Sequence, residues 1–219
     1  MYYNEEFQYM TFDVPHIRDN INHIQRLTRV GVDKYRRKFN TSNHEQGTND
    51  ITWQFGNYNV YGLCSCNQWF YDIYKSLIHG LREYYAVSNT EIPQQLWMQS
   101  WINKHTPKQV LKTHNHDWPL HGYISIEPKK SCTVFTDKPN GSELYRIENK
   151  IGQIYIGPGH RFHHVEVLEP FEGERITFGF DLEHRDRIFD NIGFPIYLFF
   201  HGIAFFSIPP TNLLPIAKS

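Results

Sequence analysis

The residues of this chain with the clearest chemical use are histidines set close together. His114 and His116 stand two apart in Thr113-His114-Asn115-His116-Asp117, and on a β-strand that spacing turns both imidazoles to one side. Further on comes Gly152-Gln153-Ile154-Tyr155-Ile156-Gly157-Pro158-Gly159-His160-Arg161-Phe162-His163-His164. It reads as a strand, a Gly/Pro turn and a second strand that returns another imidazole towards the pair. His163 and His164 are adjacent, so strand alternation lets only one of them face inward. Three imidazoles on one side of a β-framework suit a first-row transition metal better than an apolar core. The competing use of the pair is structural, with each ring hydrogen-bonded to a carboxylate or to backbone. His16, His23, His44, His79, His105, His184 and His201 read as structural or surface residues.

Arg175-Ile176-Thr177 adds a second kind of chemistry. On a strand Arg175 and Thr177 share a face, and a planar guanidinium fork beside a hydroxyl is a receptor for a carboxylate. Next to a three-ligand metal site, such a receptor defines a place for a small dicarboxylate that also chelates the metal. The ordinary alternative for Arg175 is a strand-edge ion pair with Glu172 or Glu174.

These residues need a β-rich scaffold, and the chain supplies one from Gln95 onward. Leu96 to Asn103, Val110 to Thr113, Gly122 to Glu127, Cys132 to Phe135, Leu144 to Glu148, Gln153 to Ile156, Phe162 to Val167 and Arg175 to Leu182 are strand-like. Turns punctuate them at Pro107, Pro128, Pro139-Asn140-Gly141, Gly157-Pro158-Gly159 and Glu172-Gly173. Short strands at that spacing suggest a sandwich or jelly roll. Before them, Asp13 to Val30 looks helical, with Asp13 as cap and Ile17, Ile21, Ile24 and Leu27 at helical spacing. Asn67 to Tyr85 is a clearer helix, with Phe70, Ile73, Leu77, Leu81 and Tyr84 as its apolar stripe. Asn40 to Asn49 reads as a loop and Phe55 to Tyr61 as a short strand. The expectation is a mainly β (α+β) chain: residues 1–94 as helical support, 95–183 as the β core and 184–219 as an apolar packing tail, all one integrated domain.

Composition narrows the function. A net charge of −1 and a pI near 6.9 give no polyanion bias, so no nucleic-acid partner is expected. Three cysteines form no disulfide framework, and the amino terminus has no signal-peptide pattern, so a cytoplasmic location is expected. Ile196 to Ile208 is strongly apolar but too short to span a bilayer. It reads as a buried strand or packing tail, with a homo-oligomer contact or a membrane-surface contact as the other uses.

From Trp101 to Asp181 the chain resembles the double-stranded β-helix of Fe(II)/2-oxoglutarate-dependent oxygenases, particularly those of bacteria and their viruses. The likeness rests on Trp101-Ile102-Asn103, His114-Asn115-His116, Gly122-Tyr123 and Phe135-Thr136-Asp137-Lys138-Pro139. It continues with Gly152 and Pro158, His163-His164-Val165 and Arg175-Ile176-Thr177-Phe178-Gly179-Phe180-Asp181. It implies a jelly-roll, cupin-like core, iron held by His114, His116 and His163, and 2-oxoglutarate anchored by Arg175 and Thr177. It also selects His163 over His164. The usual triad of that superfamily has Asp or Glu where His116 stands. Asp117 next door serves only if the strand bulges, and His121 lies where cupins place a carboxylate ligand.

Three readings follow from these residues. The first is an Fe(II)- and 2-oxoglutarate-dependent dioxygenase that hydroxylates a small-molecule or peptide substrate. The second is a cupin-type three-histidine metalloprotein, dioxygenase or isomerase, that uses no 2-oxoglutarate. The third is a non-enzymatic β-sandwich. The loops Lys138 to Ser142 and Glu169 to Glu174 would close the pocket, and Trp101, Trp118, Tyr123 and Phe162 could line it.

Overall fold

The computed structural model describes residues 1–39, 50–51, 67–91, 96–107, 112–184 and 206–208. The expected loop at 40–49, the expected strand at 55–61, Cys64 and Cys66, and most of the apolar run from 196 lie outside those residues. The chain opens on two short strands, β1 (Tyr2–Asn4) and β2 (Tyr9–Asp13), which pattern reading left unassigned. Helices α1 (Pro15–Asp19) and α2 (Ile21–Phe39) follow, then β3 (Asp50–Ile51) and α3 (Gln68–Val87). The remaining strands are β4 (Leu96–His105), β5 (Leu120–Glu127), β6 (Ser131–Thr136), β7 (Glu143–Glu148), β8 (Gln153–Pro158), β9 (Phe162–Val167), β10 (Arg175–His184) and β11 (Phe206–Ile208).

The single helix expected over residues 13–30 is broken at Asn20. The Asn20 amide closes α1 on the His16 carbonyl, while the Asn20 carbonyl accepts from His23 and Ile24 to start α2. Asp13 does not cap it: Asp13 ends β2, and Val14 takes the N-cap position without a side-chain bond. At α3 the Asn67 carboxamide does cap, accepting from the amides of Trp69 and Phe70. The expected stripe of α3 is buried throughout.

All strand pairing is antiparallel, in two sheets. The larger runs β1-β2-β8-β5-β10-β4-β11, with β3 also on β4, and the smaller runs β7-β6-β9. Strand alternation gives the large sheet two faces with separate jobs. Met10, Phe12, Ile102, Ile124, Ile154, Ile156, Phe178 and Phe180 point to one face and pack on Ile17, Ile24, Phe70, Ile73, Leu77 and Leu81 of the helices. Each such side chain taken fully out of water contributes about 1.5–3 kcal/mol. The opposite face looks towards the small sheet. Tyr9, Tyr123 and Tyr155 meet Phe135 and Ile147 there, with Phe135 and Tyr145 stacked at 4.6 Å and the Tyr145 and Tyr155 hydroxyls 3.1 Å apart. No helix among the described residues is long and apolar enough to cross a membrane.

Candidate metal and anion site

The interior between the sheets holds the histidines. His163 comes from β9 and is 5% exposed. His114 and His116 lie just before β5, not on a continuous strand: His114 forms an isolated bridge to His163, and His116 is outside any strand. Backbone hydrogen bonds do the work expected of a strand. The His114 amide donates to the His163 carbonyl (3.1 Å), the His163 amide to the His114 carbonyl (2.8 Å), and the His116 amide to the Gly159 carbonyl (2.9 Å). Gly159 must be glycine for this approach, since a Cβ there would fall 2.0 Å from the Trp118 carbonyl oxygen.

One ring nitrogen from each of His114, His116 and His163 lies within 4.8 Å of the other two. Their hydrogen bonds fix which nitrogens face each other. His114 Nδ1 is 2.9 Å from the Lys112 carbonyl, and His163 Nδ1 is 3.1 Å from the Arg161 carbonyl. His116 Nδ1 is 3.0 Å from both carboxylate oxygens of Asp181. A carbonyl or carboxylate oxygen only accepts, so each Nδ1 carries a proton, and a neutral ring in that tautomer keeps its lone pair on Nε2. Burial, then the neighbouring imidazoles, pushes His163 well below the ordinary histidine pKa, and burial also lowers His114. Both rings are therefore neutral, the form that binds metal. The Nε2 of His116 is buried with no hydrogen-bond partner, and an orphaned acceptor among imidazoles is what an ion would satisfy. The donor set fits a first-row divalent ion.

Asp117 is exposed and joins no ligand group among the described residues. His121 is buried and stacks on His116, with centroids 3.8 Å apart and planes 12° apart. Its Nδ1 donates to Asp181 at 2.8 Å, and burial lowers its pKa to about 4. Burial alone would raise Asp181, but electrostatic attraction to His116 and His121 and the N–H hydrogen bonds that both rings donate outweigh that and hold it below the ordinary carboxylate value.

Arg175 and Thr177 point to the same interior face of β10 and are 4% and 6% exposed. The ion pair that sequence offered as an alternative does not form. Glu174 turns to the other side, where it meets Arg29 of α2 at 3.4 Å and Lys104 of β4 at 2.6 Å, and Glu172 is exposed. Among the described residues Arg175 has no carboxylate partner; its guanidinium donates to His105 Nδ1 at 3.1 Å. Burial lowers the Arg175 pKa to about 10, which leaves it charged at neutral pH, and burial followed by the Arg175 charge lowers His105 to about 3. Beside this cation, His105 Nε2, the Tyr123 hydroxyl and the Ser125 hydroxyl are buried without hydrogen-bond partners of good geometry. All three lie on β4 and β5, the strands flanking β10. A buried, uncompensated guanidinium amid unsatisfied polar groups is a receptor for an anion.

Sequence reasoning missed His105 and gave Asp181 no role of its own. His105 lies directly opposite Arg175 across β4 and β10, a register that single-strand patterns do not reveal. Trp101 lies roughly parallel to His116 and His121, 5.8 and 6.2 Å away. Gly179 makes room for it, since a Cβ there would fall 2.5 Å from the indole.

The class defined by this architecture is a helix-backed pair of antiparallel sheets with a histidine cluster between them. No protein-family model matches the chain, and no curated protein sequence matches it. Solved structures do resemble it, and they include iron- and 2-oxoglutarate-linked oxygenases. A prolyl-4-hydroxylase from Pseudomonas putida shares 11% identity at a TM-score of 0.50, over 82% of this chain and 94% of that one. HygX from Streptomyces hygroscopicus, solved with nickel and 2-oxoglutarate bound, shares 10% at 0.47, over 82% and 83%. An oxidoreductase of the 2OG-Fe(II) oxygenase family from Burkholderia pseudomallei shares 13% at 0.36, covering 46% of this chain. The chain spans half the length of that protein. At these identities the likeness to the hydroxylase is one of fold.

Proposed function

We propose that the chain is an Fe(II)- and 2-oxoglutarate-dependent oxygenase built on a double-stranded β-helix, residues 95–183, with residues 1–94 as its support. One observation carries the reading: an orphaned imidazole nitrogen among three clustered histidines shares the inter-sheet face with a buried arginine that has no acid partner among the described residues. His114, His116 and His163 would hold the iron through Nε2. Arg175 and Thr177 would take the far carboxylate of 2-oxoglutarate, with the His105, Tyr123 and Ser125 donors beside them. Iron, when bound, supplies the redox chemistry that couples dioxygen to decarboxylation of the oxo acid and oxidation of a substrate C–H bond. The chain's own work is positional. The carbonyls of Lys112 and Arg161 and the carboxylate of Asp181 orient the three rings. The Phe135-Tyr145-Tyr155 cluster keeps water from the space behind His163.

The test is anaerobic addition of Fe(II) and 2-oxoglutarate to metal-free protein. A weak visible charge-transfer band is expected, absent when 2-oxoglutarate is omitted and lost in Arg175→Ala. A second reading, a cupin-type three-histidine enzyme without 2-oxoglutarate, is favoured by the lack of any carboxylate in the His114-His116-His163 group. It would give metal binding with no such band and no sensitivity to Arg175→Ala.

A further inference from the structure

Asp181 carries a buried carboxylate, 2% exposed, and no Lys or Arg among the described residues pairs with it. Its partners are two histidines: His116 Nδ1 at 3.0 Å and His121 Nδ1 at 2.8 Å. These three residues also lie close enough to one another to be considered as a separate ion site. Their arrangement argues otherwise, because both rings already commit Nδ1 to the carboxylate at hydrogen-bond distances, stacked 3.8 Å apart. The group is a clamp, with two N–H donors converging on one anion and Trp101 lying along both rings.

We infer that Asp181 is a positioning residue for the metal site. It locks His116 in the tautomer whose Nε2 is free, and sets a negative charge directly behind that ring. This inference rests on the reading that His114, His116 and His163 bind a metal. Of the three, His116 alone needs a charged acceptor to fix its tautomer, since His114 and His163 are fixed by backbone carbonyls. A carboxylate behind a ligating imidazole raises its basicity and holds its ring, and Asp181 stands in that place behind His116. His121 fills the carboxylate's second position and packs against the His116 ring.

Asp181→Asn tests this without any turnover. Asn keeps the shape but offers one acceptor oxygen and one donor nitrogen to two N–H groups. The two rings then compete for one oxygen, which lies closer to His121. His116, left facing the amide NH2, is expected to take the other tautomer, as happens when Asn replaces the Asp of an Asp–His pair in other proteins. If His116 flips, Nε2 becomes N–H and cannot ligate. Titration with Co(II), followed by visible absorption, should show affinity about 10- to 100-fold weaker in Asp181→Asn than in the parent protein. Nitrogen-15 spectra of the metal-free parent should show His116 protonated on Nδ1, and those of the variant on Nε2. Co(II) affinity within about twofold of the parent would overturn the inference, on the same scale of expected loss. So would a parent His116 protonated on Nε2, an observation that needs no variant and holds if Asp181→Asn fails to fold. A parent protein that binds no Co(II) removes the metal-site reading and the inference with it. Binding in the parent that is unchanged in the variant removes the inference alone.

Discussion

His105 offers a test of the anion receptor that needs no substrate. Its imidazole is 2% exposed, and burial beside the Arg175 guanidinium lowers its pKa from 6.5 to about 3. In the unfolded chain it titrates near 6.5. As pH falls the unfolded state therefore takes up a proton that the folded state refuses. The stabilisation is present above pH 6.5 and is lost progressively as pH falls towards 3. Between pH 7.5 and pH 5 the loss is RT ln of roughly 30, about 2 kcal/mol. Because pH 5 is still well above the folded value, that loss is set almost wholly by the unfolded pKa. For a chain of this length about 2 kcal/mol corresponds to about 4–8 °C in Tm. The assay compares thermal unfolding of the parent and His105→Gln at both pH values, with chelator present. Gln keeps an acceptor for Arg175 and does not titrate, and every other histidine contributes equally to both proteins. The parent should lose about 4–8 °C more than the variant on acidification. Equal losses would refute the picture of a neutral His105 held beside a buried cation.

Other outcomes follow from the same geometry. Arg175→Ala removes the one buried cation of the receptor and should weaken 2-oxoglutarate binding by about 2–4 kcal/mol, roughly 30- to 1000-fold by calorimetry. Arg175→Lys should recover little of this, because it lacks the planar fork. His163→Ala should abolish stoichiometric Fe(II) uptake measured by metal analysis, whereas Asp117→Asn, at an exposed position outside the cluster, should leave uptake unchanged. Gly159→Ala drives a methyl group into the Trp118 carbonyl. It should lower both Tm and metal affinity, because the backbone that must yield is the one holding His116.

The parts of the site legible in the sequence were those written along one strand or one turn. The stripe of α3 shows in its 3.6-residue period, and Arg175 and Thr177 share a face by parity alone. His114, His116 and His163 were selected partly by spacing and partly by family resemblance, and the structure groups them within 4.8 Å. What escaped depends on register between distant segments. Asp181 meets His116 across 65 positions and Arg175 meets His105 across 70, and no local pattern encodes such pairings. The His-x-His segment suits a strand by spacing, yet among the described residues the backbone of His114 and His116 is tied by an isolated bridge to His163 and a bond to Gly159 rather than by a continuous ladder. β1 and β2 escape pattern reading because strands of three and five residues, Tyr-Tyr-Asn and Tyr-Met-Thr-Phe-Asp, are too short to show a period. At residues 13–30 the apolar spacing is continuous, but Asn20 bonds back to His16 and divides the helix in two.

The placement of the two halves on unequal supports has a kinetic consequence. Arg175, Thr177 and Asp181 lie on β10, hydrogen-bonded along its length to β4 and for most of it to β5. Its amides should exchange with solvent only on global opening. His114 and His116 lie on a segment with few backbone bonds to the rest, two of them to His163 and one to Gly159. That segment can open locally while the sheet stays intact. Metal should therefore enter and leave by fluctuation of residues 112–119, with the anion receptor standing fully formed throughout. In hydrogen exchange, loading the metal should slow residues 112–119 strongly and β10 hardly at all.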